Sequence, residues 1–199
     1  MTMKSINRRE LLHLIEIELG THYRASAINS TIQERKQWSA LDILEIKIIS
    51  NKDKLWCVLR EELIDPKTLH EFACVCAERA LSRVENPDPR SVAAIAAKRA
   101  WMRGEITDKE LDVARDAAWA AARDAAWDVP WASASDAAWA SASDAAWASA
   151  SDAAWAAASD AARDAAWDAP WAAARVSAWA AERAWQVEEL KKMLREEEV

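Results

Sequence analysis

Residues 116–155 read DAAWAAARDAAWDVPWASASDAAWASASDAAWASASDAAW, and this stretch decides the fold. It lies within a tract from Arg115 to Trp185 that consists almost entirely of Ala, Trp, Asp, Ser and Arg and holds 10 of the 13 Trp residues. Ala is the strongest helix former, and the chain has only 2 Gly and 5 Pro residues for tight turns. The composition therefore predicts an all-α fold with long Ala/Trp-rich helices.

Trp recurs mainly at intervals of eight residues in this tract. Eight residues advance an α-helix by about 80° beyond two full turns, so successive Trp side chains spiral around the axis. One straight helix cannot bury such a spiral against a flat partner. Pro130 and Pro170 offer breaks, because Pro disfavours helical geometry in the residue before it. We predict a multi-helix bundle of antiparallel helical hairpins, with helices over Asp108–Trp127, Pro130–Trp167 and Pro170–Arg195.

Apolar spacing predicts helices nearer the N-terminus as well, over Arg8–Leu19 and Lys54–Ile64. The segment Leu41–Ile49 is open between helix and strand, because its apolar and charged residues alternate. In the last segment of the chain, helical spacing directs Val187, Leu190 and Leu194 towards the core.

Two Asp-Pro pairs mark the starts of further helices. Asp65-Pro66 and Asp88-Pro89 each place an N-cap carboxylate before a Pro at the first helical position. The second of these helices runs to about Arg103, with Gly104 beyond its end, and Thr107–Glu110 is a capping-box pattern that opens the next helix. We divide the chain into an N-terminal helical region, 1–104, and repeat helices, 105–199, packed on it in one continuous domain. The helix after Pro66 presents one apolar face, formed by Leu69, Phe72, Ala73, Cys76, Ala80 and Leu81.

Charge is divided unevenly between these two parts. Residues 1–104 hold 17 Lys and Arg against 14 Asp and Glu, a net charge of +3, whereas residues 105–199 hold 9 against 19, a net charge of −10. The acidic half argues against binding to nucleic acid or to an anionic membrane surface. There is no run of about 20 apolar residues to span a membrane. Three Cys residues in no paired framework, and no convincing secretory signal, indicate a cytoplasmic protein.

His70 and Cys74 lie four residues apart on one predicted helix and are the strongest candidates for a metal site. Two more ligands would have to come from other Cys or His residues, none of which stands at a recognised spacing. A buried apolar role for both is the favoured interpretation. The same pair lacks a residue to orient it for nucleophilic catalysis, and there is no Gly-rich phosphate loop. We expect no catalytic residue, no metal and no cofactor.

Three interpretations of the Trp array remain. The first, which we favour, is that the Trp residues form the core. The second is that they form a binding surface, since Trp and Arg are common interface anchors. The third, compatible with either, is that the repeat records expansion of a short coding unit. If the array binds a protein, the candidate binding residues are Trp139, Trp147, Trp155, Asp136, Asp144 and Asp152.

Four motifs stand out between Ala40 and about Ala117: ALDIL (Ala40–Leu44), KLWCVLREELID (Lys54–Asp65), TLHEFACVCAERAL (Thr68–Leu81) and RAWMRGEITDKELDVARDA (Arg99–Ala117). The segment that contains them resembles the immunity protein family labelled Imm-5-like. The family also continues into Ala-rich tracts with Trp and Arg, and ends in a segment similar to Ala178–Leu194. The resemblance implies an all-helical cytoplasmic protein that protects its producer by binding and blocking a cognate toxin, with no catalytic residues. An acidic surface would suit a basic toxin. A helical scaffold that self-associates through Trp-rich faces, and so forms a homo-oligomer, is the alternative.

Overall fold

The structure is a computed structural model, and it describes residues 4–15, 30–32, 35–84, 86–128 and 172–197 of the chain. These residues are mainly helical, which confirms the all-α prediction. The elements are β1 (Ser5–Asn7), α1 (Arg8–His13), β2 (Gln37–Ser39), α2 (Ala40–Leu44), α3 (Asn51–Val58), α4 (Pro66–Leu81), α5 (Pro89–Met102), α6 (Asp108–Asp128) and α7 (Ala172–Glu197).

A short antiparallel ribbon was not foreseen from the sequence. Strands β1 and β2 pair with Ile6 opposite Trp38, and both side chains are buried. Each strand runs directly into a capped helix. The Asn7 side chain accepts hydrogen bonds from the backbone N–H groups of Arg9 and Glu10, and Ser39 caps α2 in the same way. Because the strands are antiparallel, α1 and α2 start at opposite ends of the ribbon.

Two helices predicted for the N-terminal region are present in part. The first is α1 at Arg8–His13; helical geometry continues through Leu14 and Ile15, and residues 16–19 of the predicted helix lie outside the described residues. The prediction of a helix over Lys54–Ile64 is wrong at its C-terminal end, because α3 stops at Val58 and residues 60–63 form turns. Leu59 leaves helical geometry with ψ +66°, and this bend turns Leu63 and Ile64 into the core. Burial of apolar groups favours the turn over continued helix.

The open choice at Leu41–Ile49 is resolved in favour of helix followed by turns. Helix α2 covers Ala40–Leu44, and a hydrogen-bonded turn follows it. Ile46 and Ile49 are buried from this irregular segment, whereas Ile48 is exposed. The alternation of apolar and charged residues that suggested a strand is thus not accompanied by strand pairing in this segment.

The helix starts predicted from Asp-Pro pairs are confirmed. Asp65 and Asp88 each accept a hydrogen bond from a backbone N–H of the first turn, at 2.9 and 2.8 Å. Gly104 follows α5 with φ +72°, a left-handed conformation that glycine adopts without steric cost. The predicted apolar face of α4 is buried along its whole length.

Helix α7 closes the core over the N-terminal helices. It contacts α2, α3 and α4, and the predicted inward residues Val187, Leu190 and Leu194 are all buried. The predicted helix over Pro170–Arg195 is thus present from Ala172 onwards. The helix predicted over Pro130–Trp167 lies outside the described residues, and the domain division at Gly104 stays a prediction.

Candidate protein-interaction surface

The six candidate binding residues predicted from the repeat lie outside the described residues. These are Trp139, Trp147, Trp155, Asp136, Asp144 and Asp152. The structure does describe the helices that lead into the repeat and out of it, α6 and α7, so the surface chemistry of the repeat can be followed at its two borders.

Helix α6 begins with the capping box expected from the sequence. The Glu110 carboxylate accepts the Thr107 backbone N–H at 2.8 Å, and the Thr107 hydroxyl accepts the Glu110 N–H at 3.3 Å. The hydrogen bonds from the Thr107 backbone and hydroxyl hold the pKa of Glu110 below its usual range. The first turn of α6 is therefore firmly set, although it is exposed on its outer side.

The outer face of α6 is acidic and open. Leu111, Ala118 and Ala121 are buried on the inner side, and helical geometry places the opposite side chains towards solvent. Val113 is 67% exposed, and the side chains of Asp112 and Asp116 are 56% and 73% exposed. Arg115, at the edge, pairs with both aspartates at 3.0 and 3.6 Å. We define the α6 outer face as Asp108, Lys109, Asp112, Val113 and Asp116.

A cluster of aromatic and basic side chains joins the base of α6 to α4 and α5. The Trp101 indole N–H donates to the Asp108 carboxylate at 2.6 Å. His70 meets the Trp101 ring edge-on, with the ring centroids 5.3 Å apart, and the Lys98 ammonium lies 4.2 Å from the same centroid. Burial, and secondarily the charge of Lys98, lower the pKa of His70 to about 4. His70 is therefore neutral at physiological pH.

The His70–Cys74 pair shows no metal-site geometry in the part of the chain that the structure describes. Cys74 is buried and does not form a disulfide, and no group of three His, Cys, Asp or Glu side chains could hold an ion among the described residues. His70 instead packs on Trp101 as an aromatic ring.

The α5–α6 hairpin is packed through small residues, and one arginine joins it to α4. Ala94 and Ala118 are both buried in one small cluster, and Trp119 packs against them. Behind this hairpin, Arg99 donates to the carboxylates of Glu71 and Glu78 on α4. These hydrogen bonds raise the pKa of Arg99 further above its usual value. The hairpin is thus fixed to α4, with the α6 outer face directed away from it.

Helix α7 places similar residue types in a buried setting. Glu182 is 2% exposed and accepts both hydrogen bonds from Nε of Arg79, at 2.9 and 3.1 Å. It also pairs with Arg83, and the Arg79 guanidinium lies over the Trp185 ring at 4.0 Å. Charge-assisted hydrogen bonds of this kind are stronger than neutral ones, so the cluster ties α7 to the end of α4.

This cluster could not be predicted from sequence patterns. Arg79 and Glu182 are 103 residues apart, and neither occurs in a pattern that specifies the other. Arg and Trp side chains four residues apart on one helix can also pair locally. Trp179 and Arg183 do so at 6.0 Å, but Arg79 and Trp185 pair across the fold.

No family model, no curated protein and no solved structure matches the chain. Among the residues that the structure describes, no helix is both long enough and apolar enough to cross a membrane. The exposed chemistry of α6 and α7 is therefore the main basis for a functional proposal.

Proposed function

We propose that the chain is a non-enzymatic immunity protein of the cytoplasm that binds and neutralises a cognate toxin. The observation that carries the proposal is the α6 outer face, where an exposed apolar side chain stands among exposed carboxylates. Val113 would supply apolar contact, and Asp112 and Asp116 would attract a basic partner.

The surrounding packing supports a binding role for this face. Its base is held by the Trp101–Asp108 hydrogen bond and by the Thr107–Glu110 capping box, so the helix need not reorganise on binding. A preorganised surface loses less conformational entropy on association than a mobile one. A basic toxin, such as an enzyme that acts on nucleic acid, would meet carboxylates where it otherwise meets phosphates.

The resemblance to Imm-5-like proteins supports the same proposal from the sequence. Three of the segments that carry it form α2, α4 and the α5–α6 connection, and α6 packs against α5. The acidic character continues into the repeat, since residues 105–199 carry a net charge of −10.

Co-expression tests this function. A toxin candidate encoded beside the gene for this chain would be expressed alone and together with the chain, and growth would be measured. We expect the wild-type chain to restore growth and the double variant Asp112→Lys/Asp116→Lys to restore it less. Glu188→Lys/Glu196→Lys, which makes the same change of charge at exposed positions of α7, is the matched control. Growth that is not restored by the wild-type chain, with both proteins present in soluble form, would argue against the proposal.

A second candidate function is a helical scaffold that self-associates through Trp-rich faces. Trp179 favours it, because this side chain is 40% exposed and is followed by the exposed Ala180 and Ala181. Light scattering of the full chain distinguishes the two. A concentration-dependent oligomer that becomes monomeric in the variant Trp179→Ala would support the scaffold function. A monomer at all concentrations would exclude it.

A further inference from the structure

A cleft of about 800 Å³ lies between β1, α1 and the turn that follows α3. In contrast to the acidic α6 outer face, it presents basic side chains. Sites for small ligands and peptides commonly measure roughly 300–1,000 Å³. The cleft is lined by residues other than those of the α6 outer face, so a ligand can bind there whether or not that face binds a toxin. Its lining residues include Ile6, Leu12, Leu14, Leu63, Arg9, His13, Arg60, Glu10 and Glu62.

Both walls of the cleft are fixed by hydrogen bonds. On one side, the Glu10 carboxylate accepts the Asn7 backbone N–H at 2.7 Å and sets α1 at the end of β1. On the other side, the Lys4 ammonium donates to the Glu61 carbonyl at 2.7 Å and reaches the Ile64 carbonyl at 3.4 Å. The start of β1 is thereby tied to the turn after α3. The cleft is therefore preformed.

The apolar part of the lining is formed by four aliphatic side chains. Ile6 and Leu63 are buried and belong to the core, whereas Leu12 and Leu14 are half-buried and stay partly open to the cleft. An apolar side chain of a ligand would remove this remaining apolar surface from water.

The polar part of the lining is asymmetric. Arg9 and His13 stand one helical turn apart on α1, both exposed, and neither side chain has a hydrogen bond or ion pair within the described residues. Arg60 is stacked on Trp56, with its guanidinium 4.3 Å from the ring centroid. Of the two acidic residues, Glu10 is engaged by the helix cap. One side of the cleft thus offers unengaged donors for a carboxylate.

We propose that this cleft binds a short peptide segment in which an apolar side chain is followed by a carboxylate. The apolar side chain would pack on Leu12 and Leu14, and the carboxylate would lie between Arg9 and His13, where guanidinium geometry suits a carboxylate. Glu10 and Glu62 in the walls oppose a multiply charged anion such as a nucleotide. β1 is an edge strand, with β2 as its sheet partner in the described structure, so it can also pair with peptide backbone.

Peptide titration followed by amide NMR of the full chain tests the proposal. The probe is acetyl-Leu-Leu-Glu amide, and its matched control is acetyl-Leu-Leu-Gln amide, which differs in charge but not in shape. We expect the Glu peptide to saturate below about 1 mM and to shift the amide signals of Ser5, Ile6 and Leu12. The Gln peptide should bind about tenfold more weakly, because it cannot form the charge-assisted hydrogen bond that the carboxylate forms.

Variants test whether Arg9 and His13 cause the difference in affinity between the two peptides. Arg9→Gln should bind both peptides at the weaker level, His13→Gln serves as a second variant, and Lys109→Gln on α6 should bind like the wild type. Equal affinity of the wild-type chain for the two peptides would overturn the proposal. So would a lack of saturable binding, or shifts confined to residues outside the cleft.

Discussion

The two Ala/Trp-rich helices that border the repeat meet opposite surroundings. The start of α6 faces solvent with Asp112, Val113 and Asp116, whereas the end of α7 is enclosed by α2, α3 and α4. Glu182 on α7 carries a carboxylate like the aspartates of α6, yet it is almost fully buried between arginines. Helix composition therefore does not determine burial in these two helices. The elements packed against each helix determine it, and they leave the α6 outer face open to solvent.

The largest expected effect comes from removing core volume under α7. Leu190 is fully buried, so Leu190→Ala should lower the free energy of unfolding by about 2–5 kcal/mol. Val113→Ala on the exposed face of α6 should change it by less than about 0.5 kcal/mol. Urea unfolding of the full chain measures both. Similar losses in the two variants would show that the comparison between the helices is wrong.

A pH titration tests the contact between His70 on α4 and Trp101 on α5, where the Trp101 indole also bonds to Asp108 on α6. The pKa of His70 is about 4 in the folded chain and about 6.5 when unfolded, so between these values the unfolded chain binds more protons. Stability should therefore fall as the pH drops from about 6.5 to 4, by up to about 3 kcal/mol.

The variant His70→Phe keeps a ring against Trp101 and should lose this part of the pH dependence. His13→Gln, which removes an exposed histidine, is the control and should keep it. Thermal unfolding at a series of pH values would decide, and an unchanged profile in His70→Phe would exclude His70 as the source.

A smaller effect is expected from the charged cluster of α7. Glu182→Gln keeps the shape but removes the charge that Arg79 and Arg83 contact, and it should cost about 2 kcal/mol. Glu188→Gln removes a carboxylate that pairs with Lys191 at the surface and should cost less than about 1 kcal/mol. Denaturant midpoints of the two variants give the comparison; equal midpoints would mean that Glu182 acts as a surface charge.

Much of the helical framework followed from local signals. Asp65-Pro66, Asp88-Pro89, Thr107–Glu110 and Gly104 fixed helix ends because capping and φ preferences act within a few residues. The inward residues of α7 followed from helical spacing. These features need no knowledge of the rest of the fold.

Other features depend on distant partners and could not be predicted. The β1–β2 ribbon joins residues about thirty positions apart in three-residue strands, too short for a clear alternation. The end of α3 at Val58 depends on where Leu63 and Ile64 find the core. The exposure of the α6 outer face likewise depends on which elements of the fold pack against α6. The predicted binding residues of the repeat itself stay predictions.

The most direct test of the account is the rate at which the full chain associates with its candidate toxin, measured by stopped flow over a range of salt concentrations. If the α6 outer face attracts a basic partner, the wild-type rate should fall steeply as salt rises. The variant Asp112→Asn/Asp116→Asn should associate about threefold to tenfold more slowly at low salt, with an unchanged free energy of unfolding. Equal rates and equal salt dependence in the two proteins would contradict the assignment of this face to partner binding.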